Sequence, residues 1–358
     1  MKVLFVFLVI AWSVALFGQN VYIPDENFKA NLVKNKEINT NGDSDIQLSE
    51  ASAFAGRISC SYASIKDLTG IEAFTALTEL ECYDIQLTSL NLSENTALIK
   101  LKCGDNQLTS IDVSKNLALT ELNCNFNPIT SLDLSKNTAL EKLDCGQNQL
   151  TNLDVSKNKA LTSLECNSNK LTSLDVSKNA DLKKLMCSNN PLKSLDVSKN
   201  TALIGLFCRT NQLTSLDVSM NISLKGLHCG NNNLRSLDLS KNTELEILEC
   251  GKNQLTNLDV SKNTTLLKLR CKGNQLTIID LSKNTALESL ECHENQLTSL
   301  DLSKNTALEG LYCRGNQITS LDVNKNTALF MLDCRDNPLD CVVGCGEKCK
   351  LKGAERCP

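Results

Sequence analysis

The chain has 358 residues and 41% hydrophobic content, ample for a sizeable core. Lys plus Arg total 37 against 41 for Asp plus Glu, a net charge of −4, which excludes a broadly basic nucleic-acid binder and a strongly acidic tail protein. Two histidines leave little material for histidine-based catalysis or metal chemistry. At the start, Lys2 precedes a mostly apolar stretch from Val3 to Phe17, with small residues Ser13, Ala15 and Gly18 near its end. This pattern predicts an export signal over residues 1–18, cleaved before Gln19, with cleavage after Ala15 as the alternative. No cysteine follows the stretch, so no lipid anchor is expected, and no later run reaches 18 consecutive apolar residues. The mature chain is expected to be secreted or at the cell surface, where disulfides are permitted.

Residues 19–56 read as a small helical segment. Asp25 is placed to cap a short helix bearing Phe28, Leu32 and Val33. Asn39 to Glu50, NTNGDSDIQLSE, resembles a single EF-hand loop. The resemblance puts Asn39, Asn41 and Asp43 in the first three side-chain ligand places, Asp45 in the backbone-carbonyl place and Glu50 in the bidentate place. It implies a weak Ca2+ site. Asn39 removes one charge from the usual set, Ser44 replaces the turn glycine, and no partner hand follows.

The middle of the chain is periodic. Cysteines recur at 82, 103, 124, 145, 166, 187, 208, 229, 250, 271, 292, 313 and 334, every step being 21 residues, and Cys60 precedes them by 22. One unit, Leu140 to Ala160, reads LEKLDCGQNQLTNLDVSKNKA. Its first half is L-x-x-L-x-C-x-x-N-x-L and its second L-x-x-L-D-V-S-K-N. Alternate apolar residues give the period of a short strand, and the asparagines mark turns. A coil of this kind buries its inner leucines only against neighbouring coils. The pattern resembles the leucine-rich repeat family, and within it the cysteine-bearing, 21-residue internalin-like bacterial subclass, with Ile85 departing from the asparagine place in the first copy. The expected fold is a mainly β repeat solenoid over residues 57–339, about 13 coils with two short strands each, behind a helical N-terminal cap. Stacked at ~4.8 Å per coil, it would make a rod roughly 60 Å long with modest curvature.

The ladders read first as structure. Stacked cysteines ~4.8 Å apart exceed the ~3.8 Å Cβ spacing of a disulfide, so buried thiols are expected. Asparagine ladders from Asn106 to Asn337 and from Asn95 to Asn326 are expected to satisfy backbone groups at turns. Aspartates from Asp112 to Asp322 face outward, offset by lysines three residues on, with Met220 the exception.

The second half of the repeat is nearly invariant, whereas outward residues of the first half vary. The position before each ladder cysteine forms one lane, in which Met186, Phe207 and His228 are consecutive. With Ile204, Lys183, Arg209 and Lys225 around them, they form a candidate partner-binding patch of apolar groups rimmed by cations. Tyr312, near Phe330, Met331, Arg314 and Arg335, forms a second. His228 and His293 lie three coils apart, roughly 14 Å, too far to share a metal or a substrate atom, and no hydrolase or P-loop motif is present.

After Leu339 the repeat stops. Cys341, Cys345, Cys349 and Cys357 read as two disulfides closing residues 340–358, in any of three connectivities. The expected function is a monomeric, non-enzymatic binding module for a protein or glycan on a host or neighbouring cell surface, with adhesion implied by the family resemblance. The alternative is a structural cell-envelope scaffold. Nucleic acid is not an expected partner.

Overall fold

The structure is a computed structural model that describes residues 18–61, 64–346 and 349–357. The expected export signal lies outside the described residues except for Gly18. The chain divides into two compact units, Met1–Leu161 and Thr162–Pro358.

In the first unit, Asp25 caps the helix Glu26–Lys34 by accepting from the backbone N–H of Asn27 and Phe28 at 3.0 and 2.9 Å. Its second oxygen accepts from the N–H of Lys66 at 2.8 Å, tying the helix to the start of the repeats. Phe28 and Leu32 are fully buried. A second helix, Leu48–Ala53, starts at a capping box between Gln47 and Glu50. Three-residue strands follow: Arg57–Ser59, Glu79–Glu81, Lys100–Lys102, Glu121–Asn123 and Lys142–Asp144. They pair in parallel, each with the next, one coil apart. Ser59 sits opposite Glu81, so Cys60 aligns with Cys82 despite the 22-residue step, and the extra residue falls in the connection.

The second unit carries the same strand in successive coils, from Ser163–Glu165 to Met331–Asp333, then Lys350–Lys352, again paired in parallel. From Ser163–Glu165 to Met331–Asp333 each strand turns its central leucine inward, and the following cysteine is buried beside it. The ladder cysteines are thiols, none in a disulfide. Burial pushes Cys187 and Cys229 up to about 12, so these sulfurs pack as neutral apolar groups.

The expectation of two strands per coil holds for the first half only. Among the described residues the second half is strand only at Leu321–Asp322, which pairs with Cys341–Val343, itself paired with Glu355–Arg356. Elsewhere its backbone groups serve turns: in one coil Asn263 N–H donates to Val260 O and Leu266 N–H to Asn263 O.

The two asparagine ladders work differently. Asn253 donates from Nδ2 to the carbonyls of Cys229 and Cys250 at 3.1 and 2.9 Å, and its Oδ1 accepts from Leu234 N–H at 3.0 Å. Asn263 donates to the carbonyls of Leu239 and Asn242 at 3.1 and 2.8 Å, but its buried Oδ1 has no partner. The outward aspartates are also backbone ligands. Asp259 accepts from Ser261 N–H at 2.9 Å and Asp238 from Ser240 N–H at 2.9 Å, an Asx turn repeated along the ladder. Those hydrogen bonds hold both carboxyls below the usual range, so the stacked aspartates stay ionised.

At the C-terminal end one disulfide, Cys341–Cys357, joins residues whose Cα atoms are 5.1 Å apart. The expected second bridge is not formed. Cys345 and Cys349 are buried thiols, the latter hydrogen-bonded to the former and pushed up to about 12, first by burial. No helix among the described residues is long and apolar enough to cross a membrane.

Candidate functional site

The varied lane of the second unit is a continuous strip. Strand register sets Glu165, Met186, Phe207, His228, Glu249, Arg270, Glu291, Tyr312 and Asp333 side by side in that order. All but Glu249 and Asp333 are part-exposed, so this is a surface. The Phe207 and His228 rings stack with centroids 4.5 Å apart and planes 19° from parallel. Met186 flanks them. Glycines make room for the rings: a Cβ on Gly205 would sit 3.0 Å from the Phe207 ring, and one on Gly226 3.8 Å from His228. Gly310 stands in the same relation to Tyr312, with 3.4 Å. This Gly-Leu-aromatic spacing, at 205–207 and 310–312 with histidine at 226–228, is a readable signal that the sequence analysis did not use.

His228 also faces an acid. Its Nδ1 lies 2.9 Å from Glu249, and Arg209 reaches the same carboxylate at 3.1 Å. Arg270 pairs with Glu249 as well and donates from Nε to Glu291 at 2.7 Å. The Glu249 side chain is only 8% exposed. Burial alone would raise its carboxyl, but the bonds from His228 and Arg270 outweigh that and hold it below the usual range. The sequence placed Glu249 in the lane without seeing that it joins residues two coils apart.

Beside this network is a cavity of about 380 Å³ lined by Arg209, Gly230, Glu249, Gly251, Lys252, Arg270 and Lys272, among others. Its floor is the position after the ladder cysteine, where Gly230 and Gly251 interrupt a row of larger residues between Arg209 and Lys272. The residue after that is left-handed in successive coils, with φ of 53° at Thr210, 58° at Asn231 and 53° at Lys252.

The remaining expected partner-binding residues are dispersed around this strip. Ile204 is 44% exposed. Lys183 is exposed, and Lys225 is held by Glu246 at 2.9 Å. Tyr312 lies five strands from Phe207 and belongs to a separate patch, where Phe330 is exposed while Arg335 is bound to Asp333 and Arg314 to Asp336. In the first unit the same lane is ionic: Glu81 is held by Arg57 and by Lys102.

The EF-hand-like loop is closed by its own hydrogen bonds. Glu50 accepts from the N–H groups of Thr40, Asn41 and Gln47 and from the Thr40 hydroxyl. Asn39 Oδ1 accepts from Gly42 N–H, and Asp45 pairs with Lys29. Among the described residues, no group of three or more His, Cys, Asp or Glu side chains is placed to hold a metal.

Fold and ladders together define a leucine-rich repeat β-solenoid with a small helical N-terminal region. The functional domain of InlJ from Listeria monocytogenes, which includes a cysteine ladder, is 37% identical, with a TM-score of 0.80 over 90% of this chain and 77% of that one. The leucine-rich repeat protein LIC12759 from Leptospira interrogans is 25% identical, with a TM-score of 0.76 over 87% and 86%. An internalin, inlF, from Listeria monocytogenes shares the fold at 20% identity, with a TM-score of 0.75 over 94% and 96%. No family model and no curated protein matches the chain significantly. The chain belongs to the internalin-like leucine-rich repeat proteins with a cysteine ladder.

Proposed function

We propose that this chain is an exported, non-enzymatic module that binds a protein through the strand face of its second unit. The observation that carries this reading is the stacked, part-exposed Phe207–His228 pair beside the Arg209–Glu249–Arg270 network. It joins an apolar contact to fixed charges on a surface whose backbone is otherwise regular. Rigid aromatic anchors beside arginine are the usual energetic centre of a protein interface. Internalin-like leucine-rich repeat folds are protein-binding modules, which supports the general class. Adhesion to a host or neighbouring cell surface, secretion, and action as a monomer extend that reading.

The test is a surface-plasmon screen of residues 19–358 against extracellular matrix proteins, mucins and isolated glycans, alongside the Phe207→Ala, His228→Ala double variant. Saturable binding lost in the double variant is the expected result. Binding that survives it would move the interface elsewhere, and absence of binding across the panel would favour the envelope scaffold. Calcium is proposed only as a weak ligand of the Asn39–Glu50 loop, one that must take Glu50 from Thr40, Asn41 and Gln47. A calcium titration of Tm with Glu50→Gln as control tests it: a rise in Tm confined to the parent supports the site, and none removes it.

A further inference from the structure

We propose that the cavity beside Glu249 receives a carboxylate side chain from an extended, acidic segment of the partner, four residues along from an apolar side chain that rests on Met186 and Phe207. This inference rests on the protein-binding reading above and adds to it the chemistry of what is bound.

Charge points to an anion. The cavity is lined by the cations Arg209, Lys252, Arg270 and Lys272 and by only two carboxylates, Glu249 and Glu291. This local positive excess sits in a chain whose net charge is −4. Both carboxylates are engaged: Glu249 by His228, Arg209 and Arg270, and Glu291 by Arg270 at 2.7 Å with Lys272 at 3.9 Å. They hold the guanidinium groups in place without using all their donors, since each guanidinium carries five N–H groups. Lys252 is exposed and makes no ion pair among the described residues. An incoming carboxylate therefore meets guanidinium donors already held in place by Glu249 and Glu291, which reduces the ordering cost of binding, with Lys252 free to add its charge.

Shape points the same way. Gly230 and Gly251 follow consecutive ladder cysteines and open the floor between Arg209 and Lys272. The backbone closes up there. A Cβ on Gly230 would lie 2.9 Å from Gly251 O, and one on Gly251 2.8 Å from Lys272 O, so larger residues would force the floor to shift.

Spacing sets the reach of the ligand. Met186, Phe207, His228 and Glu249 are successive register partners, so the apolar end and the cavity are three strand steps apart. At ~4.8 Å per step that is about 14 Å. An extended peptide presents residues i and i+4 on one face about 13–14 Å apart. An apolar side chain on Met186 and Phe207 thus brings an Asp or Glu four residues away over the cavity. The adjoining apolar stack favours a peptide over an acidic sugar, which would leave the Met186 and Phe207 surface uncovered.

The test uses two synthetic peptides on a serine–glycine background. One carries leucine with glutamate four residues later; the other carries glutamine in place of the glutamate. Calorimetric titration against residues 19–358 is expected to favour the glutamate peptide by about tenfold or more, the size of a charge-assisted hydrogen bond. That preference should vanish in the Lys252→Glu, Lys272→Glu variant and shrink at high salt, while Phe207→Ala weakens both peptides alike. Circular dichroism checks that the variants are folded. Equal affinity for the two peptides, or a preference surviving in the lysine variant, overturns the anion site and leaves the strand-face reading standing. No saturable binding of either peptide up to about 1 mM also overturns it. Binding of a sulfated hexasaccharide that displaces the peptide and ignores Phe207→Ala would assign the cavity to a glycan instead.

Discussion

The two sides of one coil carry opposite kinds of residue on the same core. On the strand side of the coil containing Cys250, Ile247 and Glu249 point outward and are held only by other side chains or by none. On the turn side, Asp259 binds Ser261 N–H and Asn263 binds two carbonyls. The difference explains why one side repeats almost unchanged and the other does not. Exchanging Asp259 orphans Ser261 N–H and exchanging Asn263 strips a donor from two buried carbonyls, whereas apolar lane residues such as Met186 and Phe207 have no such duty. The strand side is therefore free to carry binding chemistry, and the turn side is not.

Substitutions should separate the two sides. The largest loss is expected in the shared core: Leu248→Ala should cost about 2–5 kcal/mol in denaturant unfolding, because neighbouring coils restrict collapse into the space. Next come the asparagine ladders. Asn253→Ala strips Leu234 N–H of its acceptor and takes one of two asparagine donors from the carbonyls of Cys229 and Cys250, while Asn263→Ala removes a donor from carbonyls that keep the N–H groups of Asn242 and Leu245. Both should destabilise by about 1–3 kcal/mol or more, with Asn253→Ala the larger. Equal losses would mean that the bond from Leu234 N–H to Asn253 adds nothing. A smaller, pH-dependent effect belongs to His293, whose buried Nδ1 has no partner. Burial, with Lys272 adding to it, lowers its affinity for a proton relative to the unfolded chain. Stability is then fully present above the ordinary histidine value of about 6.5 and falls as pH drops from there through the lower folded value. The slope of Tm between about pH 7 and 5 should flatten in His293→Gln. The smallest stability change is expected on the lane itself: Phe207→Ala should stay within about 1 kcal/mol, yet weaken binding.

Much of this was legible in the sequence because a fixed 21-residue step makes register a matter of counting. The cysteine series, both asparagine series and the Met186–Phe207–His228 adjacency all follow from it. What was not legible depends on local geometry that no residue type marks. The left-handed position two residues after each cysteine holds Phe126, Thr210, Lys252 and Glu294 alike, so composition carries no signal there. The Asp ladder read as a surface charge stripe, whereas each carboxylate closes an Asx turn. The second half of the repeat shows strand-like alternation, but turn hydrogen bonds take up its backbone. At the C-terminal end, four clustered cysteines could not reveal that only Cys341 and Cys357 are bridged. In the binding face, the sequence found the apolar pair and missed the cavity, because Gly230 and Gly251 matter only through what flanks them in space.

The most direct measurement is the affinity of a lane-swapped chain for whichever protein the screen retains. In it Met186, Phe207 and His228 become Glu, Lys and Asn, the kinds of residue found in the first unit's lane at Glu81, Lys102 and Asn123. All ladder residues are kept, so an unchanged Tm together with lost binding is the expected result. Undiminished binding by a folded lane-swapped chain would contradict the assignment of function to this face.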